Sequence, residues 1–156
     1  MCVIIDANLA SLVFSTPPDP DFVPVLSWLY DTDADGCLVY GGRLTQELLM
    51  LSGTWRPLVQ LLRAGRAILV PCEKIAAEEA RVESLRLCRS NDAHVIALAR
   101  VSGARVLCSK DRTLHQDFKN RQLISNPRGQ VYQAKEHAHL LRHSQSCRRV
   151  RKGADQ

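Results

Sequence analysis

Val3-Ile4-Ile5-Asp6-Ala7-Asn8 is a short β-branched run that ends on an acid. Side chains branched at Cβ fit a pleated, extended backbone, so the run predicts a strand over Val3 to Ile5. An acid placed directly after an apolar strand sits at that strand's carboxyl end. That position matters for the whole chain, because the same kind of apolar run recurs between helical stretches.

Working outward, Phe22, Val25, Leu26 and Leu29 recur at helical spacing and predict a helix over Phe22 to Tyr30. The segment before it, Thr16-Pro17-Pro18-Asp19-Pro20, is a loop, since its prolines remove donors and restrict their neighbours. Asp31 to Gly36 is a polar turn, and Cys37 to Tyr40 is a second strand. Gly41-Gly42 breaks the chain before a helix carrying Leu44, Leu48 and Leu51. Pro57 stands near the start of a further helix that stops at about Gly65. Ala67 to Val70 is a third strand, ended by Pro71. Lys74 to Cys88 is helical, and Ser90-Asn91-Asp92 starts the helix Ala93 to Val101, with Gly103 as its stop. Val106 to Cys108 is a fourth strand and Leu114 to Phe118 a short helix. Leu123-Ile124 and Val131-Tyr132 are weaker strand signals.

Strands separated by helices require crossover connections, and crossovers make a mainly parallel sheet covered on both faces. The expected architecture is therefore α/β, a three-layer α/β/α sandwich. The 156 residues suffice for one domain, expected over 1–134. Residues 135–156 are expected to add a C-terminal helix and a frayed basic tail containing Arg148-Arg149-Val150-Arg151-Lys152.

Composition narrows the functional classes. Hydrophobic residues at 46% and charged residues at 24% describe an ordinary globular chain. No apolar run approaches the roughly 18 residues of a membrane span. The opening is too short and wrongly flanked for a signal peptide, so a cytoplasmic protein is expected. The six cysteines include no C-x-x-C pair, and Cys2, Cys37, Cys72 and Cys108 lie in or beside apolar runs. Reduced core cysteines are the expectation. No glycine-rich nucleotide-binding motif and no G-x-S-x-G elbow occurs. A phosphate-signalling receiver domain is disfavoured as well. It needs an acceptor Asp after the third strand, where this chain has Pro71-Cys72.

In an open parallel sheet, ligands bind beyond the carboxyl ends of the strands. Asp6 follows the first strand, Asp111 follows the fourth, Asp92 opens a helix, and Glu47 lies on the helix after the second strand. Each has a plainer explanation: Asp92 as a helix cap, Asp111 as a turn former, Glu47 as a solvated helix residue. Together they describe carboxylates brought to one edge of a sheet. Acids gathered without bases repel one another and stay ionised only around something positive. Hard divalent cations with oxygen ligands, Mg2+ or Mn2+, meet that need.

The segments Val3-Ile4-Ile5-Asp6-Ala7-Asn8, Asp92-Ala93-His94-Val95-Ile96-Ala97-Leu98-Ala99 and Gly103-Ala104-Arg105-Val106-Leu107-Cys108-Ser109-Lys110-Asp111 resemble the acidic motifs of the PIN-domain family, nearest to its VapC-like toxin ribonucleases. The resemblance runs from about Cys2 to Ile124. It implies a metal-dependent endoribonuclease, in which a metal-activated water attacks phosphorus in line and leaves a 5′-phosphate and a 3′-hydroxyl. It further implies that Asp6, Asp92 and Asp111 bind metal and that Glu47 binds metal or orients water. Asn8 and Ser109 are polar helpers by position. Glu47 matches the family's second acid, with Asp31, Asp33 and Asp35 as its alternatives. Asp117 is a further acid that joins the set or stands as an exposed helix residue.

Arg43, Lys110, Arg112, Lys119 and Arg121 cluster in sequence near the acids and are candidates for RNA phosphate contacts. The net charge of +5 suits a polyanionic partner. Neither Trp28 nor Trp55 lies in a basic, aromatic-interleaved stretch that would stack bases. His137, His139, His143 and Cys147 are better read as a solvated helix than as a zinc site. The family resemblance also brings a cognate antitoxin-like inhibitory protein and a homodimer as expected partners, and no membrane. The alternative is a catalytically inactive PIN-like module that only binds RNA or protein.

Overall fold

The computed structural model describes residues 2–141. Five parallel strands form one sheet in the order β3-β2-β1-β4-β5. They are β1 (Cys2–Ile5), β2 (Cys37–Gly41), β3 (Ala67–Val70), β4 (Val106–Cys108) and β5 (Gln130–Tyr132). The helices are α1 (Ala7–Val13), α2 (Val23–Tyr30), α3 (Gly42–Leu49), α4 (Trp55–Arg63), α5 (Cys72–Ser84), α6 (Ala93–Ser102) and α7 (Arg112–Lys119), followed by a 3-10 helix, Lys135–Leu141. Helices on both faces of the sheet make a three-layer α/β/α sandwich.

The strands are short and almost wholly buried. Every residue of β1, β2 and β4 is shielded from solvent. That is the burial of a sheet covered on both faces, and it explains why these strands read as unbroken apolar runs. β3 is an edge strand, and Leu69 is half exposed there.

The chain order reverses at β1. Successive crossovers run outward through β2 to β3, then the chain returns to place β4 on the other side of β1. The carboxyl ends of β1 and β4 therefore flank the crevice in which open α/β sheets bind ligands. Register fixes what lies there. Ile5 pairs with Cys108, so the next residues, Asp6 and Ser109, emerge side by side. The Asp6 backbone N–H donates to the Cys108 carbonyl at 2.9 Å, carrying the pairing one step past the strand.

α3 begins with no intervening loop after β2. Gly41 leaves no room for a side chain, since a Cβ there would meet Ile75 Cδ1 and the Val70 carbonyl oxygen at 2.7 Å. Gly42 has φ +56, in the left-handed region that costs glycine least. This tight corner starts α3 at the sheet edge and brings Glu47 within its first two turns. α3, α5 and α6 pack against one another, and α3 and α6 both touch β2.

Some sequence expectations differ from the structure. Ala7 to Val13 forms a helix directly after Asp6, where no element was anticipated. Leu123-Ile124 forms a buried turn and not a strand. The helix expected from Lys74 spans Cys72–Ser84. The C-terminal helix is a 3-10 segment within 135–141, packed on α2 and β5. The basic tail, His143 and Cys147 lie outside the described residues. Cys72, Cys88 and Cys108 carry free thiols, but Cys2 is disulfide-bonded, which corrects the expectation that the strand cysteines are all reduced. No helix among the described residues is long and apolar enough to cross a membrane.

Candidate active site

Asp6, Asp92 and Asp111 each occupy the residue before a helix, and each could simply cap it. They behave differently. The Asp111 Oδ1 accepts from the backbone N–H groups of Thr113 at 3.0 Å and Leu114 at 3.3 Å, so Asp111 caps α7. The side chains of Asp6 and Asp92 make no capping hydrogen bond to α1 and α6. A cap acceptor commonly stabilises a helix by ~1 kcal/mol, and both residues forgo it. Their carboxylates are turned to another use.

Asp6 is 7% exposed. Its Oδ2 accepts from Ser109 Oγ at 2.8 Å. The same Ser109 Oγ accepts from the Asp111 backbone N–H at 3.1 Å. His115 Nε2 lies 2.6 Å from the Ser109 carbonyl oxygen, so that nitrogen carries the proton it donates. Ser109 is thus held from behind by His115 and ties the ends of β1 and β4 together. The polar helper expected at Ser109 is in contact with an acid; Asn8 is exposed on α1.

Electrostatics shows which acids are neighbours. Burial raises the Asp6 carboxyl above its ordinary value; Ser109 and the Ala7 N–H oppose this, and the charges of Asp92 and Glu47 add to it. Burial also raises Asp92; His94 and Arg43 oppose the rise, and Asp111 and Glu47 add to it. Asp6, Glu47, Asp92 and Asp111 are therefore brought into one field of mutual repulsion. Asp31, Asp33 and Asp35 lie in the turn before β2, outside that set.

Glu47 is one-third exposed and divides its oxygens. Oε1 pairs with Arg43 Nε at 3.2 Å, and Oε2 faces His94 Nε2 at 3.8 Å. His94 is 2% exposed, and neither ring nitrogen has a hydrogen-bond partner among the described residues.

No family model, no curated protein and no solved structure matches the chain. The site must be judged on its own chemistry.

Asp117 is not the exposed helix residue that was the plainer expectation. It is 2% exposed on α7. Its carboxylate accepts from the Arg89 N–H at 2.9 Å, and from the Ser90 N–H at 2.9 Å and Ser90 Oγ at 2.6 Å. Ser90 Oγ in turn accepts from the Asp92 N–H at 3.3 Å. Asp117 therefore anchors the turn that presents Asp92, as Ser109 anchors the turn that presents Asp111.

The basic residues separate into two groups. Arg43, Lys110 and Arg112 are exposed and lie on or beside the elements that carry the acids. Lys119 stands at the far end of α7, about 10 Å along the helix axis from Arg112. There it lines a cleft of about 420 Å³ with Arg128, His137 and His139. Lys119 thus stands at the opposite end of α7 from Asp111, and Arg121 follows in the turn after it.

Four carboxylates and no tightly held lysine suit a hard divalent cation in donor chemistry. Among the described residues no three His, Cys, Asp or Glu side chains stand ready as one ligand set. Sequence reasoning missed His94, His115 and Ser90. His94 follows Asp92 by two residues and reads as a helix position like any other; its burial and unpartnered nitrogens emerge only from packing.

Proposed function

We propose that this chain is a metal-dependent endoribonuclease of the PIN type, with Asp6, Glu47, Asp92 and Asp111 around the metal. One observation carries the reading. Two aspartates at helix starts leave their caps unmade and lie within electrostatic reach of each other, of Glu47 and, for Asp92, of Asp111, beyond the sheet's reversal point. Acidic groups kept near one another against their own repulsion are a functional arrangement more than a stabilising one.

Asp6, Asp92 and Asp111 would hold Mg2+ or Mn2+, with Glu47 binding or orienting water. When bound, the ion supplies Lewis-acid stabilisation of the phosphodiester and an activated water. The chain's own residues do the rest. Ser109 fixes the rotamer of Asp6 and the backbone of Asp111, so two acids from different strands keep one spacing. Arg43 restrains Glu47. Lys110 and Arg112 are exposed next to Asp111 and would take the phosphates flanking the cleaved bond. The resemblance adds an antitoxin-like inhibitor and a homodimer to this reading. Leu49, Met50 and Trp55 are exposed on and after α3 and give such a partner an apolar surface to cover.

The test is cleavage of a mixed RNA pool by the purified protein with Mg2+ or Mn2+, with EDTA, and with Asp6→Asn and Asp92→Asn. The expected result is cleavage that needs the metal and disappears in both variants. Cleavage that survives in the variants overturns the assignment of the acids. RNA binding without cleavage at any metal concentration favours the inactive binding module.

A further inference from the structure

The His94 imidazole is buried, and both nitrogens lack a partner among the described residues. Leaving a buried polar group unmatched costs about 1–3 kcal/mol, so native proteins rarely do so without an occupant for the site. The neighbour that Nε2 does face is Glu47 Oε2, at 3.8 Å. That is too long for a hydrogen bond. It is slightly shorter than a metal–nitrogen and a metal–oxygen bond laid end to end, about 4.1 Å. The two atoms are thus close enough that one ion would be within reach of both. The other Glu47 oxygen is occupied by Arg43, which turns Oε2 toward the imidazole. Asp92 starts the same helix two residues earlier, within the electrostatic reach of His94.

We propose that His94 Nε2 is a nitrogen ligand of the bound metal, beside Glu47 Oε2, and that it makes the site select Mn2+ over Mg2+. This rests on the metal-dependent reading above and adds to it a ligand outside the four acids. Imidazole suits transition metals, whereas Mg2+ holds to oxygen donors and water. The Nε2 lone pair would take the ion.

The experiment is pulsed electron paramagnetic resonance of Mn2+ bound to the full-length protein. Parallel calorimetric titrations with Mn2+ and Mg2+ accompany it. The expected spectrum shows coupling to a directly bound imidazole nitrogen. Labelling histidine with 15N changes that coupling without touching the fold. In His94→Gln the coupling is lost and Mn2+ affinity falls about tenfold or more, while Mg2+ affinity changes less than about threefold. If Mn2+ binds the wild type and Asp6→Asn abolishes binding, yet no histidine coupling is seen, His94 is not a ligand and the acid site stands. If the wild type binds neither ion, the metal-dependent reading falls and this inference falls with it.

Discussion

At the scale of single residues, the distinctive feature is a carboxylate that does not cap. The positions of Asp6 and Asp92 are legible in sequence, because one follows a β-branched run and the other follows Ser90-Asn91 before an apolar helix. Their failure to cap is not legible, since capping depends on a side-chain torsion that only the packed structure fixes. Energetically, both acids oppose folding when ionised. A raised folded-state value means that the native protein holds its proton more tightly than the unfolded chain does. The contribution of Asp6 to stability is therefore fully present below pH 3.8 and is lost as pH rises through its raised folded value. Asp6→Asn keeps an acceptor for Ser109 Oγ and removes the charge. In metal-free buffer at neutral pH it is expected to stabilise the protein by ~1 kcal/mol, a rise in Tm of about 2–4 °C. The gain should vanish below pH 3.8. Thermal melts across pH check both parts; a variant less stable than wild type at neutral pH would show that the carboxylate is structural. Divalent cation should reverse the order. At a hundredfold excess over Kd it would add about 2.7 kcal/mol to the wild type and little to Asp6→Asn.

At the scale of elements, the site is three turns held by polar anchors. Ser109 anchors the β4–α7 turn, Asp117 anchors the turn before α6, and the Gly41-Gly42 corner starts α3. The strand ends could be read in advance because a buried parallel strand must be continuous and apolar, so the first polar residue marks its exit. Asp117 was misplaced because spacing along a helix says nothing about what the opposite segment offers; its partners lie 27 and 28 residues away in sequence. α1 was missed because its seven residues follow Asp6 without a break, leaving no turn signal to separate strand from helix. The anchors predict a division of phenotypes. Asp117→Ala leaves the Arg89 and Ser90 amides unmatched and is expected to cost about 2–3 kcal/mol, lowering Tm by roughly 5–10 °C. Ser90→Ala keeps both amides, removes the hydroxyl that donates to Asp117, and should cost ~1 kcal/mol. Both losses should appear in metal-free melts, in contrast to the gain from Asp6→Asn. Effects of opposite sign would separate the residues that position the site from those that form it.

At the scale of the whole molecule, charge is distributed unevenly along the chain. Residues 142–156 hold five of the 21 lysines and arginines and one of the 16 acids, so they carry four of the five net positive charges. The remaining 141 residues are nearly neutral overall, and their acids converge on the site where an RNA phosphate would have to arrive. Arg43 is already committed to Glu47, and Lys119 lines a cleft at the far end of α7. On the nuclease reading, Lys110, Arg112 and, by weight of charge, residues 142–156 are the candidates for attracting a polyanion. Neutralising Arg148, Arg149, Arg151 and Lys152 to glutamine leaves the acids and Cys147 in place. For single-stranded RNA each phosphate contact contributes about 0.7 to the slope of log K against log salt, so the slope should fall by up to about 3. The single-turnover rate at saturating RNA should be unchanged, because the substitutions leave Asp6, Glu47, Asp92 and Asp111 as they are. Filter binding between low and physiological salt, with the rate measured alongside, reads both quantities. A slope unaltered by the substitutions would place the electrostatic contact within the folded domain, at Lys110 and Arg112. A rate that fell with the affinity would instead place the terminal residues against the reacting phosphate.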